Sequence, residues 1–110
     1  MRMNEYQEKA RKTAIYKRKD GEITFYPYLG LGGEVGEVLE EVKKAERDEG
    51  GRITKERKER IVKELGDVLW YVTAIATDLE ISLEDIARIN IEKLQKRLEN
   101  NTLRGSGSDR

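Results

Sequence analysis

Two pairs of acidic residues repeat in this sequence with the same spacing and the same surroundings. Glu34 and Glu37 lie in "EVGEVLEEV", and Glu64 and Asp67 lie in "ELGDVLWYV". Residues three apart project from the same side of a helix, so each pair would present two carboxylates together. A glycine inside a helix costs roughly 1 kcal/mol relative to alanine. Gly36 and Gly66 occupy the same place in the two pairs, and this cost suggests that each has a functional role.

Carboxylates that gather in one cleft need either retained protons or a cation. Two like charges about 4 Å apart repel by roughly 4 kcal/mol at an effective dielectric near 20. The chain contains no cysteine and no histidine, which excludes Cys/His zinc sites, thiolate nucleophiles and imidazole bases. Oxygen ligands suit hard ions such as Mg²⁺ or Mn²⁺. We interpret Gly36 and Gly66 as positions that let the two helices or a ligand approach closely.

A surface interpretation of these acids stays open. Acids make up a fifth of the chain, so about four acid-x-x-acid pairs are expected by chance. Other pairs do occur, such as Glu37 with Glu40 and Glu46 with Glu49. The matched glycine and the shared V-L-x-x-V continuation favour a metal site over a solvated helix face.

A second group of polar residues follows near the end of the chain. Asn90 projects within an apolar helical stripe, and a buried amide needs a hydrogen-bonding partner. Lys93 and Arg97 lie near the same edge, so the three side chains would suit phosphate oxygens. The alternative is a core Asn bonded to a helix backbone, with two surface ion pairs beside it.

Helical periodicity and capping residues predict an all-α fold of four helices. The expected elements are a helix from Asn4 to about Arg18, a turn at Asp20-Gly21, a loop or extended arm over 23–28, a helix from 29–32 to before Gly50, a helix from Lys55 to about Leu79 with Thr54 as N-cap, and a helix from Ser82 to about Leu98. The third helix is apolar nearly all round, so it should be buried on two faces. We expect Trp70 to face another subunit.

Composition sets the remaining limits. A chain of 110 residues makes one domain with a small core, which oligomerisation would help. We assign 1–100 to the domain and 101–110, "NTLRGSGSDR", to a flexible tail. Basic and acidic residues number 22 each, so charge favours neither nucleic acid nor membrane. The sequence shows neither a signal core nor a run of ~20 apolar residues, and we expect a cytoplasmic protein.

The acid spacing resembles a known signature. Glu34-x-x-Glu37, then 26 residues, then Glu64-x-x-Asp67 resembles the E-x-x-E…E-x-x-D motif of the MazG-like nucleoside triphosphate pyrophosphohydrolases. The segments that resemble this family's helices and tail are "NEYQEKARKTA", "LGLGGEVGEVLEEVKK", "KELGDVLWYV", "NIEKLQKR" and "RGSGSDR". The resemblance implies a four-helix bundle with its active site between helices 2, 3 and 4, completed in a homodimer or homotetramer. It implies Mg²⁺, with Mn²⁺ as a substitute, and hydrolysis of a nucleoside triphosphate to monophosphate and pyrophosphate.

The same resemblance assigns roles to residues. The four acids would bind the metal, and Glu37, or next Glu34, would orient or deprotonate the attacking water, with Glu41 a further candidate. Asn90 and Lys93 match the family's N-x-x-K, which contacts metal or phosphate. The candidates for base recognition, each of which could instead serve packing, are Tyr6, Gln7, Tyr26, Tyr28, Trp70 and Tyr71. Arg104 and Arg110 could close over the phosphates.

Two other functions remain open from the sequence. Phosphoribosyl-ATP pyrophosphohydrolases share the fold and the chemistry. A non-catalytic helical oligomerisation or adaptor module would also account for the charged surface and the apolar third helix.

Overall fold

A computed structural model describes residues 1–16 and 24–107 of the chain. These ranges contain four helices and no strand: α1 Met3–Arg11, α2 Tyr26–Asp48, α3 Lys55–Asp78 and α4 Leu83–Glu99. The predicted all-α fold is confirmed. Among the described residues, no helix has the length and apolar character needed to cross a membrane.

Helices α2 and α3 form an antiparallel hairpin whose closed end is fixed by a buried arginine. Gly50 and Gly51 both have positive φ and make the turn, and the Thr54 hydroxyl accepts the Arg57 N–H at 3.1 Å as the predicted N-cap. The Arg57 guanidinium binds Glu49 through two hydrogen bonds of 3.0 and 2.9 Å and binds Glu41 at 2.6 Å. Since Glu41 lies on α2 and Glu49 is its C-cap residue, the interaction joins the two helices where the hairpin turns.

Helix α3 contacts both α2 and α1 within the chain. The burial predicted on two faces is met only in part, because Val62, Leu65 and Leu69 remain exposed. The indole N–H of Trp70 donates to the Thr13 hydroxyl at 2.7 Å, just beyond α1. The polar group of Trp70 thus has a partner within the chain, and a contact of Trp70 with another subunit stays a prediction.

Two helix boundaries also differ from the prediction. Helix α1 ends at Arg11 rather than near Arg18, and the Thr13 hydroxyl donates to the carbonyl of Ala10 at 2.7 Å. Helix α2 starts at Tyr26 instead of 29–32 because Pro27 lies in its first turn, where a missing N–H costs nothing. The expected turn at Asp20-Gly21 lies outside the described residues.

Helix α4 packs against α1. The Gln7 amide accepts the Leu83 N–H at 2.9 Å and donates to the Ile81 carbonyl at 2.9 Å, which ties α1 to the turn before α4. Ser82 caps α4 by accepting the Asp85 N–H at 3.0 Å, as predicted.

The hydrophobic core of the described chain is small. Its buried hydrophobic residues are Ala45, Ala74, Ala76 and Leu83. The radius of gyration is 17.0 Å, whereas a compact domain of this length has about 13 Å. Large apolar side chains remain exposed on all four helices, including Met3 on α1, Leu39 on α2, Leu65 on α3 and Leu98 on α4.

Candidate active site

Three carboxylates from the two helices of the hairpin meet at one place. Glu34 lies on α2, and Glu64 and Asp67 lie one turn apart on α3. Each offers one oxygen, and these oxygens all lie within 4.8 Å of one another. Glu34 and Glu64 are half-buried, whereas Asp67 is exposed. We call these three residues the acid cluster.

The charges in the acid cluster oppose one another. Burial, and then the negative charges of Asp67, Glu64 and Glu37, raise the pKa of Glu34 above its ordinary value, and a hydrogen bond with Glu64 adds to the increase. Glu37 is exposed and outside the acid cluster, yet its charge still acts on Glu34. The group therefore favours a bound cation or a shared proton. Glu41, the further candidate for orienting the attacking water, is bound by Arg57 and does not belong to the acid cluster.

The glycines of the two acid pairs do not have the expected role within the chain. A Cβ at Gly36 or Gly66 would meet no atom of the described chain within 4 Å, so neither glycine is needed for the two helices to approach. Close approach instead requires Gly30, because the ring of Tyr71 occupies the space that its Cβ would need. The other alternative, that Gly36 and Gly66 leave room for a ligand, stays a prediction.

Aromatic rings line one side of the acid cluster. Trp70 and Tyr71 pack edge to face with centroids 5.0 Å apart, and Tyr16 stacks on Tyr26 at 5.3 Å. A hydrogen bond with Tyr26, then burial, then the charges of Tyr26, Glu34 and Asp67 raise the pKa of Tyr71. The predicted candidates Tyr26, Trp70 and Tyr71 therefore lie together beside the acids.

A cavity of about 110 Å³ lies between α1 and α3. Its lining residues are Ala10, Arg11, Ala14, Tyr16, Trp70, Thr73, Ala74, Thr77 and Asp78. The Asp78 side chain is buried, with 9% exposure, and accepts a hydrogen bond from the Tyr16 hydroxyl at 3.0 Å. A second, more open space beside Trp70 is lined by Glu34, Asp67 and Tyr71. Trp70 thus forms part of the wall of both spaces.

The other base-recognition candidates lie in different surroundings. Tyr6 is half-buried on α1, where burial and then the charge of Asp67 raise its pKa. The Gln7 amide is engaged with the turn before α4. Tyr28 is exposed on α2.

The candidates for phosphate binding are not brought to the acid cluster within one chain. Asn90 and Lys93 are exposed on α4, and in the described residues neither makes a hydrogen bond or ion pair with the acid cluster. The burial expected for Asn90 is therefore wrong in the single chain. Arg97 is buried and donates to the carbonyl of Gly107 at 3.4 Å. Arg104 is exposed, and Arg110 lies outside the described residues.

Sequence reasoning missed the polar residues that line the cavity: Arg11, Tyr16, Thr73, Thr77 and Asp78. A signal for Asp78 existed, because Asp67, Trp70, Ala74 and Asp78 follow one another at intervals of three, four and four residues. Such spacing places side chains on one face of a helix.

Comparison with known proteins identifies the family. The MazG nucleotide pyrophosphohydrolase domain matches residues 24–102, which include α2, α3 and α4 with the acid cluster. The fold and the converging acids define an all-α nucleotide pyrophosphohydrolase domain. The chain belongs to the MazG family.

Two relatives extend the match. The Gene 37 protein of Mycobacterium phage L5 is 40% identical over 114 residues, covering 100% of both chains. The uncharacterized protein YvdC of Bacillus subtilis strain 168 is 30% identical over 92 residues, covering 76% of this chain and 87% of its own. Neither name states an activity. No solved structure gives a significant match.

Proposed function

We propose that this protein is a Mg²⁺-dependent nucleoside triphosphate pyrophosphohydrolase, which cleaves between the α- and β-phosphates and removes unwanted nucleotides from the pool. The observation that carries the proposal is the meeting of Glu34, Glu64 and Asp67, from two helices, within 4.8 Å. Membership of the MazG family supports the same reaction. The products are a nucleoside monophosphate and pyrophosphate.

The acid cluster fits a hard divalent ion. All three donors are carboxylate oxygens, which Mg²⁺ accepts and for which Mn²⁺ substitutes. The raised pKa of Glu34 reflects crowded negative charge that a cation would relieve. When bound, the ion supplies positive charge against the triphosphate and activation of water. Glu37, exposed one turn from Glu34, completes the proposed ligand set of four acids.

We assign Glu37 the orientation of the attacking water, with Glu34 as the second choice. The Glu37 side chain lies outside the acid cluster, yet its charge acts on Glu34. A carboxylate at the edge of the ion site has a second oxygen that can accept a hydrogen bond from the attacking water. The proposal places Tyr6, Trp70 and Tyr71 toward the rest of the nucleotide.

A second copy of the chain would complete the site. Asn90 and Lys93 lie exposed on α4, which packs on α1. The small core, the radius of gyration of 17.0 Å and the exposed apolar side chains support a homodimer or homotetramer. In such an assembly α4 of one subunit would present Asn90 and Lys93 to the phosphates bound by another. Arg97 would support this helix through its contact with Gly107.

The activity is tested with purified protein, Mg²⁺ and a panel of nucleoside triphosphates that includes phosphoribosyl-ATP. We expect monophosphate and pyrophosphate in equal amounts, and no turnover with a chelator. Glu64→Gln should abolish turnover with an unchanged helical circular dichroism spectrum. Glu59→Gln, an exposed acid on the same helix, serves as the matched control and should retain activity.

Three results would contradict the proposal. Release of orthophosphate alone would move the cleaved bond away from the α–β position. Exclusive turnover of phosphoribosyl-ATP would favour that relative of the family. A folded chain that turns over no nucleotide would favour a helical adaptor module.

A further inference from the structure

The buried ion pair near the turn of the hairpin lies in line with the acid cluster. Glu41 follows Glu34 by seven residues on α2. On α3, Arg57 precedes Glu64 by the same seven residues. Seven residues make about two helical turns, so the two residues of each helix share one face. Because the helices run in opposite directions, the register that sets the ion pair also sets the meeting of Glu34 with Glu64.

Hydrophobic packing does little to set this register. The buried residues of α2 are Pro27 and Ala45. Other apolar side chains of this helix, those of Val35, Leu39 and Val42, are exposed. Hydrophobic burial is also non-directional, whereas a charge-assisted hydrogen bond has a defined geometry. The directional contacts of the hairpin therefore weigh most in the relative placement of its two helices.

Arg57 makes such directional contacts with two acids at once. Its Nε and one terminal nitrogen donate to Glu49 at 3.0 and 2.9 Å, and its other terminal nitrogen donates to Glu41 at 2.6 Å. The side chains of Arg57 and Glu41 are only 7% and 13% exposed. The guanidinium presents its donors in a rigid plane. A shift of α2 along α3 by one turn, about 5.4 Å, would therefore break the contact with Glu41.

We propose that Arg57 is a positioning residue for the acid cluster. By binding Glu41 and Glu49, it fixes the register of α2 on α3 at which the acids of the cluster meet. The inference deepens the proposed function and rests on it for the ion that the cluster binds. About 10.5 Å of helix separates the ion pair from the acids, so Arg57 acts through helix placement. A metal site requires its ligands within about 0.5 Å of the productive geometry, which makes this placement important.

A distance measurement tests the register in the absence of any ion. The chain contains no cysteine, so Glu40→Cys on α2 and Lys63→Cys on α3, both at exposed positions, accept spin labels specifically. We expect one narrow distance distribution between the labels, and a shifted or broader one when Arg57→Ala is added. Arg88→Ala removes an exposed arginine of α4 and should leave the distribution unchanged. An unchanged distribution in Arg57→Ala would overturn the proposal.

Binding of Mn²⁺ alone measures the consequence at the acids without turnover. Electron paramagnetic resonance counts the free ion during a titration. We expect Arg57→Ala to bind Mn²⁺ about tenfold more weakly than wild type, as is usual when a metal site loses a supporting residue. Arg88→Ala should keep the wild-type affinity. The activity of Arg57→Ala should require more Mg²⁺ for half-saturation, with kcat at saturation near wild type, because a bound ion itself draws the acids together.

Arg57→Lys keeps the charge without the planar group, so it should recover part of the lost Mn²⁺ affinity. If Arg57→Ala does not fold, the lysine variant decides, and wild-type affinity and distance in it would overturn the proposal. Equal Mn²⁺ affinity in wild type and Arg57→Ala would refute the role of Arg57 and leave the ion site intact. A wild-type protein that binds no Mn²⁺ would refute the ion site, and the distance measurement would still decide the role of Arg57.

Discussion

The ring of Tyr71 on α3 lies against the backbone of Gly30 on α2, in the space that a Cβ at position 30 would occupy. Gly30 precedes Glu34 by four residues, and Tyr71 follows Asp67 by four. Each of these residues is therefore one helical turn from a member of the acid cluster. The packing of one ring on one glycine thus sets the spacing of the helices next to the candidate metal site.

Gly30→Ala should destabilise the protein and lower its activity. The added methyl must displace the Tyr71 ring, and overpacking of this kind costs about 1–3 kcal/mol. Thermal unfolding and kcat/KM measure the two effects. Gly33→Ala is the matched control, since a Cβ there meets nothing within 4 Å, and it should stabilise α2 by about 0.5–1 kcal/mol. Equal behaviour of the two variants would show that Tyr71 moves away freely.

Glu64→Gln should raise the melting temperature of the metal-free protein while it abolishes turnover. The raised pKa of Glu34 means that the folded chain binds this proton more tightly than the unfolded chain does. The resulting stability is fully present below the ordinary value of 4.5 and is lost as the pH rises through the raised pKa. The difference in melting temperature between Glu64→Gln and wild type should therefore increase as the pH rises. Saturating Mg²⁺ should stabilise wild type only, and equal stabilisation of the variant would refute the ion site.

Arg57→Ala should lower the melting temperature more than removal of an exposed arginine does. The change leaves Glu41 and Glu49 without the partner that joins α2 to α3, and a carboxylate left unpaired at a buried position is costly. Arg88→Ala is the control, because Arg88 pairs with Asp85 and Glu92 on an exposed face. Similar losses in both variants would show that the buried network adds nothing.

The pH dependence of this difference has the opposite sign to that of the acid cluster. Hydrogen bonds from Arg57 lower the pKa of Glu49 below its ordinary value of 4.5. The stability from a lowered pKa is present above the ordinary value and is lost as the pH falls through the lowered one. The gap in melting temperature between wild type and Arg57→Ala should hold from neutral pH to about 4.5 and shrink below it.

Leu39→Lys should disrupt the proposed assembly. Leu39 is 63% exposed on α2, and a charge at the centre of an apolar interface is costly to bury. Light scattering should show a dimer or tetramer for wild type and smaller species for the variant. Glu40→Lys, one residue further along and exposed, should assemble as wild type does. A wild-type monomer at micromolar concentration would contradict the proposal.

Periodicity and capping were sufficient to predict most of the fold. Thr54 and Ser82 cap the helices that they were expected to cap, because capping depends on side chains close in sequence. Local pattern failed at the ends of α1 and α2. The Thr13 hydroxyl accepts a hydrogen bond from the indole N–H of Trp70, 57 residues away, and no local rule predicts that contact.

In the candidate site too, the features that depend on local spacing were predicted and those that depend on distant contacts were not. Helical spacing alone was enough to predict that Glu64 and Asp67 would share one face, and the repeat pointed to Glu34 as their partner. The importance of Gly30 depends on Tyr71, which approaches from another helix. The buried Asp78 on α3 accepts a hydrogen bond from Tyr16, which follows α1 and is 62 residues away in the sequence. Contacts between distant segments were the part that single-sequence reasoning could not supply.

The hairpin of α2 and α3 is held by Arg57 near its turn and by the Gly30–Tyr71 packing toward its open end. The acids lie between these two attachments, both of which are made within the hairpin. The cavity wall, by contrast, draws Ala10, Ala14 and Tyr16 from the first sixteen residues. Exchange of that short segment between relatives should consequently alter the cavity and leave the acid cluster in place.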